Sequence, residues 1–200
     1  MKIILITAGM LLSTSGGHAV AEGPPLQAAP AREPDVHFVP TPHAVVDAML
    51  EMAQVRDGDV LYDLGSGDGR IPIAAASKYK LRAVGIDIDP QRIKEARANA
   101  EAAGVADRVS FRQEDLFKAD FSKATVVTLY LLDTLNEKLR PRLLALKPGT
   151  RIVSHAFGMG NWKPEKSRQV DGSMIYLWTV PARNQKASTP RGRDRDSPVS

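Results

Sequence analysis

A carboxylate and three closely spaced glycines meet at the end of one apolar run, and these residue types suit ligand binding. Asp63 lies in the run Val60–Leu64, which is followed by glycines at every second position, Gly65, Gly67 and Gly69. The run is typical of a buried strand in a parallel sheet. The glycines are typical of a strand-to-helix turn whose backbone passes close to a ligand. A dinucleotide-binding turn would have its third glycine where this chain has Arg70, so the spacing predicts a binding turn of another type.

A second carboxylate, Asp87, follows at the end of the next apolar run, 24 positions after Asp63. In nucleotide-binding units an acidic residue about 20 positions on binds the ribose, because a carboxylate can accept hydrogen bonds from two hydroxyls at once. The alternative is that Asp87 and Asp89 both cap the helix that opens at Pro90. We predict that Asp89 is the cap and that Asp87 binds ribose.

The elements that must position these side chains alternate along the chain. Helical patterns cover 70–80, 91–103 and 136–146, the last interrupted by Pro141, and strand-like runs cover 60–64, 83–88, 108–113, 124–132 and 150–157. Asp171-Gly172 lies between two further β-like runs, which predicts a hairpin. The order of elements predicts an α/β fold with five βα-type strands and a terminal hairpin.

The spacing Asp-x-Gly-x-Gly-x-Gly, with Asp87 after it, closely resembles class I S-adenosylmethionine-dependent methyltransferases. The resemblance implies a Rossmann-like, doubly wound seven-stranded sheet that ends in an antiparallel hairpin. It also implies S-adenosyl-L-methionine as the cofactor. The cofactor-binding residues that it implies are Asp63, Gly65, Ser66, Gly67, Asp87, Ile88, Asp115 and Leu116.

The end of the run 124–132 bears on the methyl acceptor. Methyltransferases that act on exocyclic amino groups of bases or on glutamine typically have an Asn/Asp-Pro-Pro-aromatic motif there, whereas this chain has Leu129-Tyr130-Leu131-Leu132. Metal-dependent catechol-type enzymes place acidic ligands nearby, where only Asp133 is available. Both classes are therefore disfavoured.

Five short blocks, which occur in one order, resemble a narrower family: the small protein-lysine methyltransferases with archaeal and mitochondrial members. The blocks are 39–42, 62–71, 124–127, 149–155 and 162–164, and the resemblance covers roughly residues 36–180. It implies a protein substrate with an accessible lysine ε-amino group. Tyr130 ends a strand at the carboxyl edge, where open α/β sheets bind ligands, and we predict that it is catalytic and aligns the amine. The alternative is a core aromatic residue with a satisfied hydroxyl.

Two further motifs have a structural interpretation beside the functional one. Thr41 and Pro42 predict the N-cap and the first residue of a helix; in the family, this segment also helps to close the cofactor cleft. Trp162 follows in a glycine-rich loop. It could shield an acceptor channel, or it could simply pack the loop.

The two ends differ in composition from the part between them. Residues 1–21 have one cationic residue, ten consecutive apolar or small residues and a small-x-small site before Glu22, which predicts a cleaved secretory signal. Ten such residues fall short of the ~20 that span a bilayer. We predict a Pro/Ala-rich linker over 22–38, the methyltransferase domain over 39–180 and a disordered basic tail over 181–200. We expect an exported, periplasmic or secreted protein without stable membrane insertion after cleavage; the alternative is a cytoplasmic or membrane-anchored protein.

Charge and composition argue against several other kinds of site. The chain has a formal charge of +4, of which Lys2 supplies +1 and residues 181–200 supply +3, so residues 22–180 are formally neutral. A nucleic-acid enzyme usually has a basic face on its folded domain, and no nucleic-acid partner is expected. The chain has no cysteine, and its four histidines (His18, His37, His43 and His155) lack metal-ligand spacing. No metal is expected, and each histidine is predicted to be a surface or structural residue.

Three functional hypotheses follow from the sequence. The first is a protein-lysine methyltransferase. The second is a methyltransferase for a small-molecule or lipid-associated acceptor that uses the same cofactor half. The third is an exported S-adenosylmethionine-binding protein without turnover, against which the intact set of Asp63, Asp87 and the three glycines argues. The predicted signal conflicts with a methyl donor that is made in the cytoplasm.

Overall fold

A computed structural model describes residues 38–182. The predicted signal peptide, residues 22–37 of the predicted linker and residues 183–200 of the predicted tail lie outside this range. The described elements, in chain order, are α1 His43–Met52, β1 Val60–Leu64, α2 Arg70–Lys78, β2 Arg82–Asp87, α3 Pro90–Ala102, β3 Val109–Gln113, β4 Val126–Leu129, α4 Asp133–Leu144, β5 Arg151–His155, β6 Lys166–Val170 and β7 Ser173–Thr179. None of the helices within 38–182 is long and apolar enough to cross a membrane.

All seven of these strands form one sheet in the order β3-β2-β1-β4-β5-β7-β6. Neighbours among β1 to β5 pair in parallel, whereas β7 is antiparallel to both β5 and β6. The direction of strand order reverses between β1 and β4, and open α/β sheets bind ligands beyond the carboxyl ends of strands at such a point. The predicted doubly wound sheet with its terminal antiparallel hairpin is confirmed.

Helices cover both faces of the sheet and bury its apolar side chains. The apolar stripe of α1 (Val45, Val46, Met49 and Leu50) is buried with parts of α2 and α3 on one face, and α4 packs on the other through Leu139 and Leu143. The strands contribute to both clusters in alternation, as shown by Val126 and Val127 of β4. Because both faces of the central strands are buried, their sequences are continuous apolar runs.

The hairpin turn between β6 and β7 follows directly from its two residues. Asp171 and Gly172 have φ values of 46° and 78°, as a two-residue type I′ turn requires at both central positions. The hairpin predicted from Asp171-Gly172 is therefore confirmed.

Several local predictions differ from the structure, and three of these differences have a clear physical reason. β4 ends at Leu129 instead of Leu132, because the chain leaves the sheet before α4 begins at Asp133. Pro141 lies inside α4 without ending it. A proline inside a helix costs about 3 kcal/mol, and the packing of buried Leu139 and Leu143 on the sheet offsets that cost.

The predicted cap of α1 is the third difference. The N-cap is Pro42, and no side chain accepts a hydrogen bond there. The side chain of Thr41 is buried instead, with its Oγ1 3.2 Å from Nδ1 of His155. Thr41 therefore holds the segment before α1 against β5 and does not cap the helix.

A buried ion pair joins the amino ends of three central strands. Asp59, which is 6% exposed and precedes β1, lies 2.5 Å from Nη2 of Arg151 at the start of β5. Thr125, just before β4, donates its hydroxyl to Asp59 over 2.7 Å. Burial alone would raise the pKa of Asp59, but its hydrogen bonds and the charge of Arg151 bring the pKa below its ordinary value. The pair stabilises the edge of the sheet opposite the carboxyl ends.

Candidate active site

The predicted site residues converge on one cleft beyond the carboxyl ends of the parallel strands. The cleft has a volume of about 510 Å³, which lies within the range of about 300–1,000 Å³ common for small-molecule sites. Eight of the nine predicted residues line it, namely Asp63, Gly65, Ser66, Asp87, Ile88, Asp115, Leu116 and Tyr130. The ninth, Gly67, lies beneath an aromatic side chain.

Phe38 covers Gly67. A Cβ added to Gly67, whose φ is +51°, would lie 2.1 Å from Cε2 of Phe38. The guanidinium of Arg92 lies 5.0 Å from the centre of the Phe38 ring, and both side chains line the cleft. The sequence assigned Phe38 to the linker, and nothing in its immediate neighbours signals a role. Its place in the cleft wall is visible only in the folded chain.

The rest of the turn is held by main-chain bonds to β2. The amides of Gly65 and Ser66 donate to the carbonyl of Ile86 over 2.8 and 3.0 Å. The hydroxyl of Ser66 is buried without a hydrogen-bond partner, and it points towards Gly85, where an added Cβ would lie 2.7 Å away. The Ser66 hydroxyl therefore faces the sheet and not the cleft.

Asp87 ends β2 with its carboxylate at the cleft wall. Oδ2 accepts the amide of Gly67 over 2.8 Å, and Oδ1 accepts the amide of Asp89 over 3.0 Å. Each carboxylate oxygen has two acceptor sites, so both oxygens can accept a further bond from a ligand. Asp89 is the N-cap of α3, since its side chain accepts the amide of Gln91 over 2.7 Å. The predicted cap is thus confirmed at Asp89, and a ribose-binding role for Asp87 stays a prediction.

Asp63 is the most deeply buried carboxylate at the cleft, at 2% exposed. Its Oδ1 accepts the hydroxyl of Thr128 over 2.6 Å. Burial raises the pKa of Asp63 to about 7; the Thr128 bond opposes that shift, and the negative charges of Asp87 and Asp68 add to it. Near neutral pH the side chain can therefore take or lose a proton in response to a ligand charge.

One wall of the cleft is largely apolar. Ile88, Leu116, Phe117 and Leu135 line it beside Asp115. Oδ1 of Asp115 accepts the amide of Phe117 over 2.9 Å, which fixes the turn after β3. An apolar wall with one carboxylate suits a flat heterocycle that carries polar groups at its edge.

Tyr130 lies one residue beyond β4, and it packs on two aromatic side chains next to β5. Its ring centre is 3.9 Å from that of His155, with the planes tilted by 35°, and 6.1 Å from that of Phe157. Because Tyr130 lines the cleft, the structure agrees with its predicted place at the carboxyl edge.

The loop after β5 is fastened to α4 beside this aromatic group. Nδ2 of the buried Asn136 donates to the carbonyl of Gly158 over 3.0 Å, and Asp133 accepts the Gly158 amide over 2.7 Å. Trp162, further along, packs on Trp178, whose Nε1 donates to the Trp162 carbonyl over 2.8 Å. Trp162 is not among the residues that line the cleft, which favours loop packing over an acceptor channel.

The fold and this site together define a class. A sheet of this order, a glycine-rich turn after β1 and a carboxylate at the end of β2 are the features of class I methyltransferases. Residues 63–166 match the ANTKMT methyltransferase domain. The chain therefore belongs to the ANTKMT methyltransferase family, and it is an S-adenosylmethionine-dependent methyltransferase.

Three similar proteins illustrate the relationship. A protein-lysine N-methyltransferase of Saccharolobus islandicus is 48% identical over 153 residues, which are 74% of this chain and 95% of that protein. The adenine nucleotide translocase lysine N-methyltransferase of Mus musculus is 30% identical over 165 residues, or 82% of this chain and 71% of the relative. A crystal structure named as an RNA methyltransferase from Salinibacter ruber, in complex with S-adenosyl-L-homocysteine, is 60% identical, with a TM-score of 0.70 and coverage of 72% of this chain and 94% of that one.

The cleft residues fit the donor that the family uses. The carboxylate of Asp87 can still accept hydroxyl donors, as a ribose requires, and the wall at Ile88 and Leu116 suits an adenine ring. The buried carboxylate of Asp63 suits a cationic ligand group. In the part of the chain that the structure describes, no group of three His, Cys, Asp or Glu side chains could hold a metal ion.

The raised pKa of Asp63 predicts a pH-dependent donor affinity. A positively charged donor favours the ionised carboxylate, so S-adenosylmethionine should bind more tightly at pH 8 than at pH 6, with proton release below the pKa of about 7. Titration calorimetry in two buffers of different ionisation enthalpy measures both quantities. Asp63→Asn should remove the proton release, and equal release by that variant would contradict the assignment.

The same group also links folding to pH. Its folded pKa of about 7 lies above the ordinary 3.8, so the folded state retains a proton that the unfolded chain loses at lower pH. The stabilisation is complete below pH 3.8 and disappears as the pH rises through 7. Urea unfolding of the donor-free protein should show a smaller pH dependence in Asp63→Asn.

Proposed function

We propose that this methyltransferase modifies lysine ε-amino groups of a protein substrate. The observation that carries the proposal is the position of Tyr130, which lines the cleft just beyond β4. There, enzymes that modify bases typically carry a Pro-Pro-aromatic motif that this chain lacks. The 48% identical archaeal relative, which this chain covers almost completely, is named a protein-lysine N-methyltransferase.

Lysine methylation requires that the acceptor amine lose its proton. S-adenosylmethionine, when bound, supplies an electrophilic methyl group on a sulfonium centre. The attacking amine must be neutral, and deprotonating lysine from a pKa of ~10.4 at pH ~7 costs about 4.6 kcal/mol. A partly apolar cleft reduces this cost, because desolvation disfavours the ammonium form.

The residues of the chain then act mainly by holding the reactants. The hydroxyl of Tyr130 accepts a hydrogen bond from the neutral amine and so directs its lone pair, while the packed rings of His155 and Phe157 keep Tyr130 in place. Orientation of this kind lowers the barrier without a dedicated base. The proton leaves to water before methyl transfer.

RNA is the second candidate acceptor. The 60% identical protein from Salinibacter ruber is named an RNA methyltransferase. The formal neutrality of residues 22–180 and the absent Pro-Pro-aromatic motif disfavour that acceptor for this chain. The experiment that tests the proposal therefore measures methylation of RNA as well as of protein.

We expect label from methyl-labelled donor to appear on lysine ε-nitrogens when the protein is incubated with a whole-cell extract. The rate should increase from pH 7 to pH 9 as the neutral amine fraction grows about tenfold per unit. Tyr130→Phe should slow transfer more than it weakens donor binding, because the hydroxyl serves the acceptor. Tyr176→Phe, a change at a tyrosine that packs on Trp178, is the matched control and should transfer at the parental rate.

The extract is separated into protein, RNA and solvent-extractable fractions. Label found only in RNA or in small molecules, with none on lysine across that pH range, would contradict the proposal. Label on lysine at equal rates in the parent and in Tyr130→Phe would leave the acceptor class intact and remove the role of Tyr130.

We also propose that the protein is exported. The support is the sequence of residues 1–21, which lie outside the described part of the chain. Cleavage after Ala21 should leave Glu22 as the mature N-terminus in protein purified from its native host. Intact-mass measurement tests this, and a mass that includes residues 1–21 would place the enzyme in the cytoplasm or at the membrane.

A further inference from the structure

His155 is a buried histidine whose ring nitrogens have no part in the mechanism above. It is 2% exposed, and its ring packs on that of Tyr130 with the centres 3.9 Å apart and the planes tilted by 35°. Nδ1 lies 3.2 Å from the hydroxyl oxygen of Thr41, while Nε2 is buried without a hydrogen-bond partner. A buried nitrogen without a hydrogen-bond partner costs free energy, and an apolar ring at this position would avoid that cost.

The charge state of this ring is fixed by its surroundings. Burial lowers the pKa of His155, so the imidazole is neutral near pH 7 and has one N–H. A neutral ring can either donate to Thr41 from Nδ1 or accept the Thr41 hydroxyl there. In both arrangements the pair with Thr41 sets the rotation of the ring.

Thr41 connects this ring to the glycine turn. Its carbonyl accepts a hydrogen bond from Nη1 of Arg70 over 2.9 Å. Arg70, at the start of α2, is itself paired with Asp68 of the glycine turn over 2.5 Å. A continuous series of contacts therefore runs from the glycine turn through Thr41 and His155 to Tyr130.

We infer that His155 is a positioning residue for methyl transfer, and that its pairing with Thr41 and its stacking on Tyr130 set where the acceptor amine lies. The inference rests on the proposed function, because Tyr130 is the residue through which His155 acts. His155 itself is not among the side chains that line the cleft. Its effect should therefore appear in turnover and not in donor binding.

Three variants of the full chain separate these effects. Thr41→Val keeps the shape of Thr41 and removes the hydroxyl, and loss of one neutral hydrogen bond should lower kcat for lysine methylation about fivefold. His155→Phe keeps a ring on Tyr130 without Nδ1 and should lower kcat similarly. Thr41→Ser keeps the hydroxyl and should restore kcat to within about twofold of the parent. Thr41 itself lines the cleft, so donor affinity is compared in His155→Phe, where calorimetry should give a change of less than about twofold.

A double-variant cycle tests the route through Tyr130. If His155 acts through that side chain, Thr41→Val should have a smaller effect on kcat in the Tyr130→Phe background than in the parent. Full additivity would overturn the inference. So would a parental kcat in Thr41→Val, or a fall in the donor affinity of His155→Phe as large as its fall in kcat, which is the pattern of a purely structural residue.

Nuclear magnetic resonance of the imidazole nitrogens tests the contact without any methyl acceptor. The donor-free parent should show His155 as one neutral tautomer, and Thr41→Val should change the tautomer populations. Identical nitrogen shifts in the two proteins would overturn the inference even if lysine is methylated. If no lysine is methylated while the shifts change as expected, the acceptor proposal fails and the pairing of His155 with Thr41 is retained.

Discussion

Replacement of Gly67 by valine is expected to weaken S-adenosylmethionine binding at least a hundredfold, or about 2.8 kcal/mol. Gly67 has a φ of +51°, and its added Cβ would lie 2.1 Å from the Phe38 ring. A β-branched residue strongly disfavours this backbone region, so both the turn and Phe38 must move. The bond from the Gly67 amide to Asp87 would be lost with them. Titration calorimetry measures the change in affinity.

Gly104→Val is the matched control. Gly104 also has a left-handed φ of +67°, but no heavy atom lies within 4 Å of its added Cβ. Both variants should lose stability from backbone strain, which urea unfolding measures. Only Gly67→Val should lose the donor, and equal affinities in the two variants would show that the turn is not the binding element.

Asp87→Ala is expected to weaken donor binding at least tenfold while the fold survives. A hydrogen bond to a charged group contributes about 1.5–3 kcal/mol, and a ribose can make two with one carboxylate. Asp57→Ala is the matched control, because Asp57 is likewise a carboxylate that accepts a backbone amide, from Lys80 over 2.9 Å, and it is not among the residues that line the cleft. Calorimetry gives the affinities, and thermal unfolding gives the stabilities.

The alternative for Asp87 is a structural role at the start of α3. Its Oδ1 accepts the amide of Asp89, the residue that caps the helix. If Asp87→Ala lowers the unfolding temperature and leaves donor affinity unchanged, that role is the correct one and Asp87 does not bind ribose.

The sequence predicted the features of this molecule that depend on neighbours along the chain. The run at Val60–Leu64 and the glycines after it determine a strand and a turn by local conformational preference. The Asp171-Gly172 turn is equally local. The strand order, in contrast, came from the family resemblance, because no local signal decides which parallel strands become neighbours.

The features that the sequence did not reveal all depend on contacts between distant segments. The composition around Phe38 predicts a linker. Phe38 lines the cleft only because the chain passes over Gly67. His155 was grouped with scattered histidines, since nothing in the sequence relates it to Thr41, 114 positions away. Thr41 was assigned to a helix cap because caps are common at Thr-Pro, and burial against β5 outweighed that preference.

The ion pair between Asp59 and Arg151 has a consequence for how such an enzyme can diversify. It lies at the amino ends of β1 and β5, whereas the predicted donor and acceptor residues lie at or beyond the carboxyl ends of the strands. The residues that stabilise the sheet and those that recognise ligands therefore lie at opposite ends of its strands. Natural variation can accumulate in the segments around Tyr130 and after His155 while the opposite edge keeps the sheet assembled. A single scaffold can in this way acquire new acceptors during evolution without first becoming unstable.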